Sequence, residues 1–342
     1  MNSSELVTES IRVYVRQRPL LSGEASTDSG LNNNGNNGYI SQLNDCSLSY
    51  NHNITKKCTD FTFHKVFGSS ITQGELFDHG VKELVRSTMN GYNGTIIAYG
   101  PTNSGKTYTM RGDDSNLGII PRAISNVLEL MNNDSKTVIT VSYLQIYCEV
   151  ITDLINPTND EPLMIREKPN GALYIENISK IKLTSLDDIY EVLNKGDMNR
   201  STAKTVMNNT SSRSHAIMMV TIMQPDLSHN NNNQEIYKES TLTLVDLAGS
   251  ERYSATIGLH YQRSEEGKAI NLSLSALGNC MNALAEAKQH VPYRDSKLTR
   301  LLQNSLGGNA RTAIICNIPP GYDEYGEIIN ALRFATRYQL HL

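Results

Sequence analysis

One segment of the chain combines glycines, a lysine and a threonine in an order that suits phosphate chemistry. Residues 100–107 read GPTNSGKT and fit the pattern G-x-x-x-x-G-K-[ST]. The fixed glycines, Gly100 and Gly105, let backbone N–H groups close around phosphate oxygens without a Cβ in the way. In such a loop Lys106 reaches the β- and γ-phosphates, and the hydroxyl of Thr107 ligates Mg²⁺. The segment therefore predicts a site for a nucleoside triphosphate and Mg²⁺.

Two positions of this loop differ from what similar loops usually carry. Pro101 has no N–H to donate, and Asn103 stands where glycine is often found. Because asparagine tolerates a left-handed backbone better than most residues, we expect the loop to form. The alternative is an ordinary turn, and the apolar run Thr95–Tyr99 before the loop argues against it. The residues predicted to line the nucleotide are Gly100, Pro101, Thr102, Asn103, Ser104, Gly105, Lys106 and Thr107.

Strand-like and helical patterns alternate along the chain and would position this loop. Besides the run before the loop, strands are predicted at 11–15, 61–67, 137–146, 216–223, 241–245 and 312–318. Apolar residues at helical spacing predict helices at 75–90, 186–193, 270–284 and 328–338. Several of the strands are almost continuously apolar, as in a sheet that is buried on both faces. This alternation predicts an α/β domain with a central, largely parallel β-sheet flanked by helices on both faces.

A second phosphate-linked pattern comes directly after a predicted strand. Residues 246–249 read DLAG, which fits D-x-x-G. In that pattern the aspartate, Asp246, holds Mg²⁺ through water, and the N–H of the glycine, Gly249, senses the γ-phosphate. A GTPase would also carry N-K-x-D, which residues 194–197 match. Because this match precedes D-x-x-G and follows a helical pattern, we interpret it as a helix end with Gly196 as the C-cap.

Composition narrows the class of protein. The chain has 342 residues, of which 39% are hydrophobic and 19% charged, as in a globular protein with a substantial core. The net charge of −4 argues against nucleic-acid binding, and no apolar run is long enough for a membrane span. Five dispersed cysteines indicate reduced thiols in a cytosolic protein. Residues 1–10 are predicted to be an N-terminal extension, and 22–60 and 228–235 polar, Asn-rich insertions.

A local excess of positive charge lies at 291–311. This stretch carries four basic residues and one acidic residue on an otherwise acidic chain. Asp295 or Ser296 can cap a helix in which Lys297 and Arg300 share a face. Because a charge cluster is usually just a solvated surface, this stretch by itself gives only weak support for an acidic partner.

Four motifs together resemble the kinesin motor domain. They are Arg16-Gln17-Arg18-Pro19, NNTSSRSH at 208–215, DLAGSE at 246–251 and YRDSKLTRLL at 293–302. Their order and separation also match that family, and the resemblance covers about 11–337. A single P-loop motor domain is therefore expected over 1–342, with 339–342 as the start of a truncated neck linker. The departures are the proline and asparagine of the loop, the Asn-rich insertions and the sequence IPP at 318–320, and none removes a catalytic position.

The resemblance implies how the nucleotide would be held. Arg16, Arg18 and Pro19 would lie against the adenine of ATP. The ring of Tyr108 would stack on the other side of the base. The implied cofactors are ATP and Mg²⁺. The alternative for Arg16, a surface position on a strand, is disfavoured by the motif match.

The resemblance also assigns residues around the γ-phosphate. Ser211 and Ser212 match the switch I serines that approach Mg²⁺ and the γ-phosphate. The aspartate and glycine of DLAG, in switch II, keep the roles given above. Glu251 would act as the base through a water molecule, and Arg213 would be its ion-pair partner. Hydrolysis would then depend on both switches closing.

The same resemblance implies a binding partner for the basic stretch 291–311. Kinesins bind acidic tubulin in microtubules through the segment after switch II and the Y-R-D-S-K-L-T-R helix. The matching residues are Lys268, Arg294, Lys297 and Arg300. The implied function is an ATP-driven microtubule motor of the cytoplasmic cytoskeleton, expected here as a monomer from a longer protein that can dimerise through a coiled coil. The alternative, a catalytically weak microtubule-binding scaffold, is opposed by the intact catalytic motifs.

Overall fold

The computed structural model describes residues 11–21, 40–51, 57–131, 136–158, 163–169, 171–202, 212–226, 236–251, 261–320 and 326–339. The side chains of 201–202 and 261–271 lie outside this description, although the helices that contain them are included. The predicted extension 1–10, the predicted insertion 228–235 and residues 340–342 also lie outside it.

A nine-stranded sheet forms the framework of the described structure. From one edge to the other its strands are β11 (Ile181–Leu183), β7 (Val138–Tyr147), β12 (His215–Pro225), β13 (Tyr237–Asp246), β6 (Asn93–Tyr99), β14 (Ala310–Ile318), β1 (Arg12–Gln17) and β5 (Lys65–Phe67), and β8 (Val150–Asp153) pairs with β7. Two smaller sheets contain β2 (Ile40–Gln42), β3 (Ser47–Asn51) and β4 (Cys58–Thr62), and β9 (Ile165–Glu167) with β10 (Leu173–Ile175).

The large sheet is mixed, with a parallel half and an antiparallel half. The neighbours β13, β6, β14, β1 and β5 are parallel, whereas β11, β7, β8, β12 and β13 pair antiparallel. The prediction of a largely parallel sheet therefore holds for the half that carries the glycine-rich loop and not for the other half. Connection length explains the difference. The segment 226–236 between β12 and β13 is too short for the crossover that parallel strands require.

Helices cover both faces of the sheet. One face carries α1 (Gln73–Leu76), a π-helical turn (Phe77–Val81), α2 (Lys82–Met89), α3 (Lys106–Met110), α4 (Ile119–Leu130) and α5 (Leu186–Thr202). The other carries α6 (Tyr261–Ala285), α7 (Lys297–Leu301), α8 (Gln303–Gly307) and α9 (Glu327–Gln339). Gln339, which the sequence prediction placed after the last helix, is thus the final residue of α9. Among the described helices, none has both the length and the apolar character needed to cross a membrane.

Side-chain alternation along the central strands produces the two layers. In β6, Ile96 and Ala98 pack into the core beneath one helical layer, while Ile97 packs into the core beneath the other. In β14, Ile314 and Ile315 divide in the same way. Because successive strand residues point to opposite faces, a continuously apolar strand buries both of them.

The prediction of a polar insertion over 22–60 misses three strands. β2, β3 and β4 form an antiparallel sheet, and Leu48 and Tyr50 of β3 are buried in the core on the side of α9. The sequence SLSYN alternates polar and apolar residues, which is the pattern of a strand with one buried face. The neighbouring Asn-rich runs hide this signal in the composition. Residues 22–39 and 52–56 lie outside the described structure.

The N-K-x-D match lies inside a helix and not at its end. Because α5 continues past it, Gly196 is not a C-cap. A Cβ at Gly196 would lie 2.3 Å from Cε1 of Tyr143, so the close approach of this ring explains the glycine. Asn194 accepts a 2.9 Å hydrogen bond from Arg111, and Asp197 forms an ion pair with the same guanidinium. These side chains therefore serve a structural contact, which agrees with rejecting a guanine site.

Candidate nucleotide-binding site

The glycine-rich loop lies at the carboxyl end of β6, between that strand and α3. Gly100 adopts a φ of 144°, and a Cβ there would lie 2.1 Å from the carbonyl oxygen of Asn317. Gly105 adopts a φ of 93°. Both positions therefore require glycine. Asn103 adopts a φ of 61°, so the left-handed backbone expected of this asparagine is confirmed.

The side chain of Lys106 is hydrogen-bonded to the backbone of the phosphate loop. Its Nζ donates hydrogen bonds to the carbonyl oxygens of Gly100 at 2.9 Å and Pro101 at 2.8 Å. Burial lowers the pKa of Lys106, and the nearby carboxylates of Asp246 and Glu251 oppose this effect. The ammonium group therefore lies beside both acidic side chains of switch II, where it can exchange loop carbonyls for phosphate oxygens.

Thr107 and Asp246 bring the two phosphate-linked motifs into contact. The Thr107 hydroxyl donates a 2.7 Å hydrogen bond to Oδ2 of Asp246. Asp246 ends β13, which is the parallel neighbour of β6, so both residues lie at the same edge of the sheet. The other carboxylate oxygen of Asp246 is buried and has no hydrogen-bond partner in the described part of the chain. A buried carboxylate oxygen beside a hydroxyl is a donor set that fits Mg²⁺.

The donor set also suits a cation that keeps several bound water molecules. Among the described residues there is no group of three or more His, Cys, Asp or Glu side chains that could hold a metal ion. Mg²⁺ is usually bound by one or two protein groups together with water and substrate phosphates. Thr107 and Asp246 match that requirement. Ser212, the third predicted ligand, is half-buried and lies just before β12 in the sequence. Contact between its hydroxyl and a cation stays a prediction.

Backbone hydrogen bonds tie switch II to its neighbours. The N–H of Gly249 donates to the carbonyl oxygen of Ser212 at 2.8 Å, and that of Ser250 donates to the carbonyl oxygen of Gly100 at 3.1 Å. A Cβ at Gly249 would lie 2.3 Å from Oε2 of Glu251 and 2.3 Å from Oγ1 of Thr102. A side chain at this position would therefore displace the Glu251 carboxylate from Thr102. The γ-phosphate contact of the Gly249 N–H remains a proposal.

Glu251 lies directly over the loop. Its carboxylate accepts hydrogen bonds from the backbone N–H of Thr102 at 2.8 Å and from the Thr102 hydroxyl. Arg213, its predicted ion-pair partner, is half-buried at the start of the segment that leads into β12, and the pairing stays a prediction. Ser211 lies outside the described residues. The catalytic carboxylate predicted from the sequence is thus close to the loop that would hold the phosphates.

Arg16 differs from the expectation that it lies against a nucleotide base. Its guanidinium is buried, and Nη1 donates to Gln73 Oε1 and to Thr109 Oγ1, each at 2.8 Å. Burial lowers the pKa of Arg16, and Tyr108 opposes the shift. The guanidinium carbon also lies 5.4 Å from the centre of the Tyr108 ring. Arg16 therefore lies in the interior, where its contacts stabilise the positions of α3 and of the Tyr108 ring.

Arg18, Pro19 and Tyr108 remain on the accessible side. Arg18 Nε donates a 2.6 Å hydrogen bond to the carbonyl oxygen of Asn103, which attaches the end of β1 to the loop. Pro19 is exposed, and the side chain of Tyr108 is 40% exposed. Contact of these three residues with a base stays a prediction.

Two residues that sequence reasoning did not select also support the site. Arg200 of α5 donates to the carbonyl oxygen of Ser214 at 3.0 Å, and its Nη1 lies 3.6 Å from Oδ2 of Asp246. Asn317, near the end of β14, donates a 2.7 Å hydrogen bond to Oγ1 of Thr109. A polar residue inside the apolar run of β14 could have marked Asn317. Arg200 lies in an ordinary helical sequence that carries no such signal.

The basic stretch 291–311 forms a turn followed by α7. Arg294 is exposed on the turn, and Lys297 is half-buried as the first residue of the helix. Ser296 caps α7, because its hydroxyl accepts from the N–H of Thr299 at 3.0 Å, as predicted. The N–H of Lys297 donates to Oε2 of Glu149 at 2.6 Å, so an acidic side chain from the β7–β8 turn also holds this helix.

Arg300 is less available for contact with an acidic partner than the sequence suggested. Its guanidinium pairs with Glu167 of β9 and donates a 2.6 Å hydrogen bond to Gln303. Only 19% of the Arg300 side chain is exposed. Lys268 belongs to α6, and its side chain lies outside the described structure. Among the predicted surface cations whose side chains the structure describes, Arg294 and Lys297 form no ion pair with a described acidic side chain.

The chain matches the family model described as the kinesin motor domain over residues 16–340. It is 42% identical over 342 residues to the kinesin-like protein Klp68D of Drosophila melanogaster, covering 98% of this chain and 42% of that protein. It is 45% identical over 286 residues to the kinesin heavy chain of Syncephalastrum racemosum, covering 81% of this chain and 30% of that protein. The chain thus spans less than half the length of these relatives.

A solved structure shows the same fold. It is that of a fast kinesin, described for its ATPase mechanism and its interactions with microtubules. It matches with a TM-score of 0.84 at 39% identity, over 96% of this chain and 91% of that one. The phosphate loop, the two switch segments and these matches together show that the chain belongs to the kinesin motor domain family, whose members are microtubule-stimulated ATPases.

Proposed function

We propose that this chain binds ATP with Mg²⁺ at the loop 100–107, hydrolyses it, and couples the reaction to microtubule binding and force. The hydrogen bond between Thr107 and Asp246 carries this proposal. It joins the phosphate loop to switch II at the carboxyl ends of neighbouring parallel strands, which is where open α/β sheets bind nucleotides. The oxygens that would ligate a cation therefore already face one another.

The loop and α3 would bind the phosphates. Lys106 would turn from the carbonyl oxygens of Gly100 and Pro101 to the β- and γ-phosphates, and loop N–H groups would complete the cradle. Thr107 and Asp246 would hold Mg²⁺, which neutralises charge on the phosphate oxygens. Ser212 would join them when switch I closes. The base would lie between Tyr108 and the Arg18–Pro19 segment, with Arg16 supporting Tyr108 from behind.

Hydrolysis would require Glu251 to leave Thr102. In the present arrangement its carboxylate is held by the loop. After release, Glu251 would pair with Arg213 and position the attacking water, while Ser211 and the Gly249 N–H would contact the γ-phosphate. Because these groups come together only when both switches close, turnover would depend on conformation, and its acceleration would come mainly from positioning.

The microtubule would bind the face formed by α6, the turn at 293–295 and α7. Tubulin is acidic, and Arg294 and Lys297 present positive charge there. Arg300 would contribute less, because Glu167 already pairs with it. Lys268 extends the same proposed surface along α6. The free cysteines suit a reducing compartment, so we extend the proposal to a cytoplasmic location on microtubules.

Steady-state ATPase measurements with and without polymerised tubulin test this function. We expect polymerised tubulin to raise the turnover rate, and Lys106→Ala to abolish turnover in both conditions. A microtubule-binding scaffold without turnover is the second candidate, favoured by the contact that holds Glu251 on Thr102. Binding to microtubules without ATP turnover would establish that candidate and refute an ATPase.

A further inference from the structure

His215 lies where three segments of the chain meet. It is the first residue of β12, it is buried, and it follows the switch I residues Ser212 and Arg213. Its Nδ1 accepts a 3.0 Å hydrogen bond from the backbone N–H of Ala248 in switch II. Its Nε2 lies 2.8 Å from Oγ of Ser273 on α6. One imidazole ring therefore contacts both the switch II backbone and the long helix α6.

These contacts determine the protonation of His215. Because Nδ1 accepts from an N–H, it carries no proton, so Nε2 carries the proton and donates it to Ser273. Burial, together with the nearby charges of Arg200 and Lys106, lowers the pKa of His215 to about 3. The ring is neutral at physiological pH, and its two nitrogens have opposite and fixed hydrogen-bonding roles.

The residues on either side of Ala248 belong to the nucleotide site. Asp246 contacts Thr107, and the N–H of Gly249 donates to Ser212. A movement of this backbone would therefore move the Ala248 N–H group that donates to His215. Directional hydrogen bonds at both ring nitrogens would pass that movement on, which an apolar side chain of similar volume could not do.

The far side of the ring leads to the proposed microtubule surface. Ser273 is buried on α6, and Leu277 and Met281, which follow on the same helix, pack into the core with Leu298 of α7. A shift of α6 at Ser273 would therefore be transmitted through close-packed side chains towards α7. The path from Asp246 to this surface is short and made of buried contacts.

We infer that His215 is a positioning residue that couples switch II to α6 and thereby to the microtubule-binding face. This inference rests on the proposed function and names a route for its regulation. His215 acts through Ala248 and Ser273, so nucleotide and microtubule can be coupled without either one touching it.

Two variants break the link between His215 and α6 from opposite sides. Ser273→Ala removes the acceptor, and His215→Asn keeps an acceptor near Ala248 but lacks the atom that reaches Ser273. We expect each variant to keep basal ATPase within about twofold and to lower microtubule-stimulated turnover about fivefold, the effect of one buried hydrogen bond. Ser240→Ala is the matched control, because Ser240 is also a buried serine, lies in β13 away from Asp246, and donates a 2.7 Å hydrogen bond to the carbonyl oxygen of Thr88.

The double variant distinguishes coupling from general damage. Both changes remove the same contact, the one between His215 and Ser273. The double variant His215→Asn with Ser273→Ala should therefore lower microtubule-stimulated turnover no further than either change alone. Fully additive losses, or a Ser273→Ala protein that is stimulated as strongly as Ser240→Ala, would overturn the inference.

A second readout does not depend on microtubules. Amide hydrogen exchange of 272–285 is measured in wild type and Ser273→Ala with ADP and with adenylyl imidodiphosphate. Nucleotide-dependent protection that is present in wild type and absent in the variant supports the link; equal responses contradict it. A wild type that microtubules fail to stimulate refutes the proposed function, while this exchange experiment still decides the role of His215.

Discussion

The carboxylate of Glu251 accepts two hydrogen bonds from Thr102, one from its backbone N–H at 2.8 Å and one from its hydroxyl. This contact places the predicted catalytic carboxylate on a donor of the phosphate loop. The loop and switch II are further joined by the hydrogen bond from Ser250 to Gly100 at 3.1 Å. Switch II therefore contacts the loop in this arrangement, and the proposed hydrolysis would require Glu251 to leave Thr102 and bind a water molecule instead.

Replacing Glu251 separates binding from hydrolysis. Glu251→Ala leaves the glycines, Lys106 and Thr107 in place, so we expect nucleotide affinity to change by less than about threefold. Hydrolysis should fall by at least about 100-fold, since proton transfer by a positioned side chain contributes about 10²–10⁴-fold. Equilibrium binding of a fluorescent ATP analogue and single-turnover hydrolysis measure the two effects. Near-normal hydrolysis would contradict the role of Glu251; Glu191→Ala, at an exposed position on α5, is the control.

The Thr107 hydroxyl should control the Mg²⁺ dependence of nucleotide binding. Thr107→Val keeps the volume and removes the oxygen that faces Asp246, so we expect the Mg²⁺ requirement to rise by about 10- to 100-fold. Thr107→Ser restores a hydroxyl and should recover most of the loss. Nucleotide affinity titrated against Mg²⁺ concentration tests this, and identical titrations for Thr107→Val and Thr107→Ser would rule out a ligand role.

Arg294 and Arg300 should respond differently to alanine substitution. Arg294 is exposed, so Arg294→Ala should weaken microtubule binding at low salt while leaving thermal stability unchanged. Arg300→Ala should lower the unfolding temperature, because it leaves Glu167 and Gln303 without their shared partner. Co-sedimentation over a salt series and thermal unfolding measure these effects. Arg86→Ala, exposed on α2 at the opposite face of the sheet, should change neither; equal behaviour of all three variants would refute the distinction.

Gly196 provides a test of the packing between α5 and the sheet. Alanine favours a helix over glycine by about 1 kcal/mol, yet Gly196→Ala should destabilise the protein by about 1–3 kcal/mol. The reason is that the new Cβ would lie 2.3 Å from the Tyr143 ring. Denaturant unfolding measures the change, and Lys195→Ala, exposed on the same helix, should be close to neutral. Stabilisation by Gly196→Ala would show that the ring does not constrain this position.

The sequence by itself determined the parts of the site that depend on neighbouring residues. The glycines of the loop, the left-handed Asn103 and the Ser296 cap could be predicted because each depends on local backbone geometry. The layers of helices could be predicted because an apolar strand must bury two faces, as β6 does. Motif order then indicated the family.

Only the tertiary structure decided which distant groups meet. Arg16 turns inward because Gln73 and Thr109, 57 and 93 residues away, offer oxygen acceptors in the interior. Asn194 binds Arg111, 83 residues away, and takes no part in a guanine site. Such contacts depend on which strands become neighbours when the sheet assembles, and on buried polar groups finding partners there. Local periodicity reports which face of an element is buried, but it carries no information about the partner across that face.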